Sequence, residues 1–342
     1  MLQIVLITNY QNHFGSKYTA VPYRSGMDKE LLQKYFFENG IEIVFVKASE
    51  VFKKNKSVRG KIFLYTSSED KGGHYKSFIE DVMLAISSMG GIMIPDYKYL
   101  RGHNNKVFME LLRKEWGPAT NDNLLSHAFG TFEDYNLSNI NFTFPVVVKR
   151  SEGALSRGVF LAHNKAELDA IVKKKCRTVN FKEEYKDYIR PFIHKGYLRE
   201  SKHRHKFIIQ DFIPNLDCDY KILIFDNKYY VLHRKIRKND FRASGSGLKA
   251  YPKELPSGLL DYCNAVFNYF DVPFISLDIA YDGSNFYVLE MQFLYFGTYT
   301  IEKSEYYFRK SENGWSLVSA KSQLEKEYAD SITNYLKTKN IF

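Results

Sequence analysis

Apolar residues recur along this chain with two periods, and the period changes partway through. Leu2-Gln3-Ile4-Val5-Leu6-Ile7-Thr8 is a nearly continuous apolar run, which predicts a buried strand over 2–8. From Met27 to Asn39 the apolar positions Leu31, Leu32, Tyr35 and Phe36 follow the helical repeat, and Gly40 suits the C-cap. Strands are predicted over 41–46 and 61–66. A helix over 78–89 closes at Gly90-Gly91, and a short strand follows over 92–95. A further helix over 105–116 is expected to stop at Gly117-Pro118. Strands alternating with helices predict a parallel, doubly wound sheet, with a boundary near residue 118.

The second half has a different rhythm. Strands are predicted over 144–149, 159–162, 207–212, 220–225 and 229–235, in a mostly antiparallel arrangement. Asn164 caps a helix to about 175, and helices follow over 257–269 and about 319–338. The fold class is α/β, turning to α+β in the second half. Residues 176–206 hold Lys, Arg, His and Tyr at high density with weak periodicity. They read as an insertion or mobile segment that touches an anionic partner, or as a solvated excursion.

Composition narrows the function classes. The 342 residues allow two or three packed modules, and 44% hydrophobic with 26% charged residues is ordinary for a globular chain. A net charge of +10 favours anionic ligands, and no nucleic-acid module accompanies it. Cys176, Cys218 and Cys263 are too far apart for a zinc spacing or a disulfide framework. The start lacks the features of a signal peptide, so a reducing, cytoplasmic location is the expectation. No apolar run approaches the roughly 20 residues of a membrane span.

The candidate chemistry sits at strand ends. Leu277–Ala280 and Val288–Gln292 alternate apolar and polar residues around the turn Asp282-Gly283-Ser284-Asn285, which predicts a hairpin. It places Asp278 and Glu290 on adjacent strands. Two carboxylates converging in an apolar sheet are costly unless something positive lies between them. Such hard oxygen donors suit magnesium or manganese shared with phosphates. Upstream, Val146-Val147-Val148-Lys149-Arg150 ends a strand in two cations, before the glycine-bounded loop Ser151–Gly158. Backbone N–H groups in such a loop form an anion nest. Gln210-Asp211-Phe212-Ile213-Pro214 breaks an apolar strand and leaves backbone groups for a flat polar ligand. Asp219-Tyr220-Lys221, His233-Arg234-Lys235 and Asp240-Phe241-Arg242 complete a series of charged strand ends.

This order of motifs resembles the ATP-grasp superfamily over roughly residues 105–300. Within it, the chain looks most like the ribosomal-protein glutamate ligases and related peptide-type ligases. The resemblance implies an N-terminal α/β domain over 1–118. A small lid subdomain over 119–212 would carry the insertion at 176–206, and a C-terminal subdomain over 213–342 would carry the metal site. It implies ATP and magnesium (or manganese) as cofactors. Lys106 and Lys149 would hold the phosphates. Gln210, Asp211, Phe212 and Ile213 would line adenine, and Asp219 would lie near the ribose or substrate. Asp278, Glu290 and Gln292 would take the metal, with Arg234 and Arg242 on the transferring phosphoryl group. The implied enzyme activates a carboxylate as an acylphosphate and joins it to an amine or another nucleophile. Small-molecule or peptide substrates, an anionic acceptor among them, and a homo-oligomer are consistent with the resemblance. Gln292 stands where Asn is common, and Lys221 where Arg is common. Two alternatives share the scaffold, namely a kinase-like phosphotransferase and a nucleotide-binding module without activity.

Overall fold

The structure is a computed structural model. It describes every residue except 55–56, 69, 71, 154–157, 179, 237–239, 243–246 and 313. The chain divides into two compact units, Met1–His103 with Leu216–Phe342, and Asn104–Asn215.

The first unit opens with β1 (Leu2–Thr8), α1 (Lys29–Glu38), β2 (Ile41–Lys47), α2 (Val51–Lys54), β3 (Ile62–Tyr65), α3 (His74–Ser88), β4 (Ile92–Ile94) and α4 (Tyr97–Gly102). The strands pair in parallel in the order β2-β1-β3-β4. Alternation along β1 and β3 decides what each face covers. Ile4, Leu6, Ile62 and Leu64 belong to one core with Leu32 and Phe36 of α1. Val5, Ile7, Phe63 and Tyr65 belong to another with Ile79, Met83 and Ile86 of α3. Asp28 caps α1 by accepting from the Leu31 N–H at 3.0 Å. Helices thus cover both faces of the sheet, as the alternating pattern predicts.

The second unit contains α5 (Lys106–Ala119), β5 (Ser126–Phe129), α6 (Phe132–Leu137), β6 (Val146–Arg150), β7 (Val159–Ala162), α7 (Lys165–Lys175), α8 (Phe181–Ile193) and β8 (Phe207–Asp211). Its sheet is antiparallel, in the order β5-β8-β6-β7. Val146, Val148, Phe207 and Ile209 pack there with Leu168 and Val172 of α7. This unit begins at Asn104, ahead of the boundary expected near 118, so all of α5 belongs to it. The helix also runs through Gly117-Pro118. The Thr120 hydroxyl donates to the Trp116 carbonyl at 3.0 Å, and the Asp122 N–H to that of Gly117 at 2.8 Å. These bonds take up carbonyls that a helix end leaves open. The segment 176–206, expected to be irregular, contains the regular helix α8.

The chain then returns to the first unit with β9 (Cys218–Phe225), β10 (Lys228–Lys235), β11 (Lys249–Ala250), α9 (Leu259–Tyr269), β12 (Phe274–Tyr281), β13 (Phe286–Gln292), α10 (Tyr299–Lys303), β14 (Tyr307–Ser311), β15 (Gly314–Val318) and α11 (Leu324–Thr338). The second sheet of this unit is antiparallel, ordered β13-β12-β9-β10-β14-β15, with β11 paired on β10. Leu223, Phe225, Tyr230 and Phe274 join the core that α1 covers, together with Tyr328, Ile332 and Leu336 of α11.

Candidate active site

The second sheet of the first unit carries a charged row at the end of an otherwise apolar face. Residues two apart on a strand share a face, as do residues directly opposite on neighbouring strands. On β9 that face runs Phe225, Leu223, Lys221, Asp219, from core to charge. The register sets Arg234 opposite Asp219, Asp278 opposite Lys221, and Ser276 opposite Gln292. Glu290 lies opposite Asp278, and Lys249 opposite Arg234. Five strands therefore contribute to one row.

A register shift between Asp278 and Ile279 makes this arrangement possible. Ile279 pairs with Val288 and Asp278 with Glu290, which leaves Leu289 as the extra residue of a bulge. Val288 and Glu290 are two residues apart and would share a face in a regular strand. The bulge lets Val288 be buried while Glu290 stays opposite Asp278. The adjacent apolar pair Val288-Leu289 is the sequence trace of that irregularity.

Charges in the row are closely matched. Arg234 donates to both oxygens of Asp219, at 2.6 and 2.7 Å, and stands 2.8 Å from Asp278 Oδ2. Lys221 Nζ donates to Ser276 Oγ at 2.9 Å and to Asp278 Oδ1 at 3.3 Å. Burial opposes ionisation of Asp278, but Arg234 and Lys221 prevail and hold its carboxyl at about 2. Burial pushes Asp219 up to about 6; Arg234 counters this, and the Asp278 charge adds to it. The Arg234 guanidinium is held still more firmly protonated by the two carboxylates, despite its burial. Lys249 Nζ sits 3.8 Å from the Tyr299 ring centroid, and burial with the nearby Arg234 charge lowers its pKa.

The second unit holds its own polar group. Asn105 caps α5, its Oδ1 accepting from the Phe108 N–H at 3.3 Å, Ser151 Oγ at 2.9 Å and Lys206 Nζ at 3.0 Å. Lys106 donates through its N–H to the Ser151 carbonyl at 2.9 Å and through Nζ to that of Gly153 at 3.0 Å. The start of α5 is thereby tied to the loop after β6. Residues 154–157 of that expected phosphate loop lie outside the described residues. Val147 pairs with Gln210, and Gln210 with Ser126, which puts Lys149, Gln210 and Ser126 on one face. Glu110 of α5 lies against it. Its carboxylate accepts from Arg113 Nε at 2.7 Å, from Ser126, and from Gln210 Nε2 at 3.5 Å. Burial raises the Glu110 pKa, yet Arg113, with Lys149 and Ser126, brings it below the ordinary range. Asp211 is raised by burial, and Ile213 is buried beyond the strand end.

The structure brings Asp219, Arg234, Asp278 and Glu290 together, with Gln292 two pairs further along, opposite Ser276. Arg242 lies on the loop between β10 and β11, where Nε and Nη2 donate to Asp240 at 2.8 and 3.0 Å. Lys221, Ser276, Lys249 and Glu110 are additions to the expected set. The alternation Asp219-x-Lys221 was a signal for Lys221, but its partner Asp278 is 57 residues away and only the register joins them. Among the described residues no three His, Cys, Asp or Glu side chains form a metal cluster. A cation would therefore take Asp278, Glu290, the Gln292 amide oxygen and ligands from outside the chain. That set fits magnesium, which binds through one or two carboxylates plus phosphates.

A parallel α/β sheet followed by two antiparallel sheets, with charged strand ends, defines the ATP-grasp class. The RimK-like ATP-grasp domain description matches residues 105–292, more than half of the chain, and the protein belongs to that family. Solved structures share the fold at low identity. D-cycloserine synthetase DcsG superposes with a TM-score of 0.56 at 10% identity, covering 98% of this chain and 99% of its own. A Chryseobacterium gregarium RiPP-associated ATP-grasp ligase, in complex with ADP and a leader and core peptide, gives 0.52 at 12%, covering 99% and 97%. D-alanine–D-alanine ligase from Bacillus anthracis, complexed with ATP, gives 0.50 at 15%, covering 100% and 99%. No curated protein matches the chain in sequence.

Proposed function

We propose that this protein is an ATP- and magnesium-dependent ligase that activates a carboxylate as an acylphosphate and joins it to an amine. The observation that carries the reading is the row Arg234–Asp219–Lys221–Asp278–Glu290. It sets cations and hard oxygen donors side by side on one face, in a chain of ATP-grasp family. The similar proteins named above as peptide and amino-acid ligases support substrates of that class.

A substrate carboxylate oxygen bonds to the γ-phosphorus of ATP as the bond to the bridging oxygen breaks and ADP leaves. The amine nitrogen then attacks the acyl carbon, the bond to the phosphate oxygen breaks, and the nitrogen loses a proton. Magnesium, when bound, offsets phosphate charge. The protein contributes position and electrostatics. In this reading Lys106 and Lys149 bind the phosphates, and Gln210, Asp211, Phe212 and Ile213 line adenine. Asp278, Glu290 and Gln292 hold the cation. Arg234, expected on the transferring phosphoryl group, has its guanidinium committed to Asp219 and Asp278 and positions those carboxylates instead, whereas Arg242 reaches the phosphoryl group by exchanging Asp240 for it.

The test incubates the protein with ATP, magnesium, a panel of amino acids and short peptides, and hydroxylamine. Hydroxamate and ADP are expected together from the wild type and neither from Glu290→Ala, whose unfolding stays cooperative. Undiminished turnover in Glu290→Ala removes Glu290 from the site. A stable phosphorylated product in place of hydroxamate replaces the ligase with a phosphotransferase.

A further inference from the structure

Helix α8 presents one aromatic face to solvent, with Arg199 over the Tyr188 ring at 5.3 Å. Phe181, Tyr185, Tyr188 and Phe192 are spaced by four, three and four residues and so form one line along the helix. They are 84%, 68%, 61% and 78% exposed, and Ile193 and Leu198 extend the apolar surface at 67% and 87%. No residue of α8 is buried. Scattered exposed apolar side chains are ordinary, but a contiguous line of them marks an interaction site. The helix is tied down by other side chains. Glu184 pairs with Lys202 at 3.3 Å, and Arg190 donates to the Tyr197 hydroxyl at 3.2 Å.

The surroundings of α8 are cationic. Residues 165–206 hold thirteen Lys and Arg against six Asp and Glu, an excess of seven where the whole chain has ten. Lys173, Lys174, Arg177, Lys202 and His203 line a depression that is joined to the helix through the Lys202–Glu184 pair. Lys173, Lys174 and Arg177 form no ion pair among the described residues, so their charge is available to an outside anion. An aromatic line with a cationic flank calls for a partner that offers negative charge and apolar depth together. The line stands on a convex helix. A planar lipid surface meets both demands, with phosphates at the top and acyl chains beneath, where Phe and Tyr settle readily.

We infer that α8, with Lys173, Lys174 and Arg177, docks this protein peripherally on an anionic phospholipid surface. The docking is independent of the nucleotide chemistry. Flotation of the full chain tests it, using vesicles of phosphatidylcholine with one quarter phosphatidylglycerol against phosphatidylcholine alone, at low salt. The protein is expected to float with the anionic vesicles only. Phe181→Ser with Phe192→Ser lowers the bound fraction roughly tenfold or more. Replacing Lys173, Lys174 and Arg177 by Gln weakens binding about fivefold per charge. Both variants keep the wild-type melting temperature, because the altered side chains are exposed. Absence of flotation, or equal flotation of wild type and variants, overturns the proposal. So does a fall in molar mass by light scattering in the Phe variant without loss of flotation, which assigns the face to a second copy. Displacement from vesicles by equimolar soluble polyglutamate, with the Phe variant unaffected, assigns it to an acidic protein and overturns it too.

Discussion

Arg234 has the most demanding position of any residue in the site. It is buried and serves two carboxylates, Asp219 through both of its oxygens and Asp278 alongside Lys221. Removing one partner from such a group leaves charge without compensation. Asp278→Asn is therefore expected to cost about 3 kcal/mol in chemical denaturation at neutral pH; an unchanged midpoint would show that the row does not stabilise the fold. The two aspartates also respond to pH in opposite senses. Asp278, held at about 2, contributes stability that is present above its unfolded value and lost as pH falls through about 2. Asp219, raised to about 6, contributes stability that is present below its unfolded value and lost as pH rises through about 6. Between about pH 4 and 6 the wild type should lose stability with rising pH, and Asp219→Asn should flatten that slope. Equal slopes in the two proteins would place the titration elsewhere.

Elements were legible in the sequence where burial imposed a period. β1 follows from its apolar run, and the β12–β13 hairpin from alternation around Asp282–Asn285. Asn164 and its helix α7 follow from the cap. Helix α8 was missed because its apolar line faces solvent among many charges, so no buried stripe stands out. The β14–β15 hairpin was missed for a related reason, since Arg309, Lys310, Ser311 and Ser316 interrupt its apolar positions. The site was legible as a set of residue types at strand ends. Its register was not, because the bulge at Leu289 breaks the two-residue period on which face assignment depends. The start of α5 supports a prediction at this scale. Asn105→Ala removes the cap together with the contacts to Ser151 and Lys206. It should cost about 1–2 kcal/mol of stability. In the proposed function it should also weaken ATP binding about tenfold by loosening Lys106, as titration calorimetry would read. Asn105→Asp, which keeps the capping oxygen, should recover the stability. Failure of that recovery would mean the cap is not what Asn105 supplies.

For the whole molecule, the ligase reading predicts linkage between nucleotide binding and stability. ATP with magnesium at about 100 times its dissociation constant should stabilise the protein by about 2.7 kcal/mol. Lys149→Ala should show a smaller melting shift, and an equal shift would remove Lys149 from the phosphate site. The discontinuity of the first unit was not legible in the sequence. The apolar positions of α11 show that the helix covers something, but its partner α1 lies some three hundred residues earlier. That separation governs the order in which the chain matures during synthesis. Asn104–Asn215 is a single stretch, and it can close on itself soon after it emerges from the ribosome. Strand β1 must wait for residues made some three hundred positions later, since Ile4 and Leu6 share their core with Ile332 and Leu336. Until α11 is made, α1 alone covers that face of the nascent β1–β4 sheet, and on the apolar surface that Ile332 and Leu336 later complete a chaperone or a second nascent chain competes with α11.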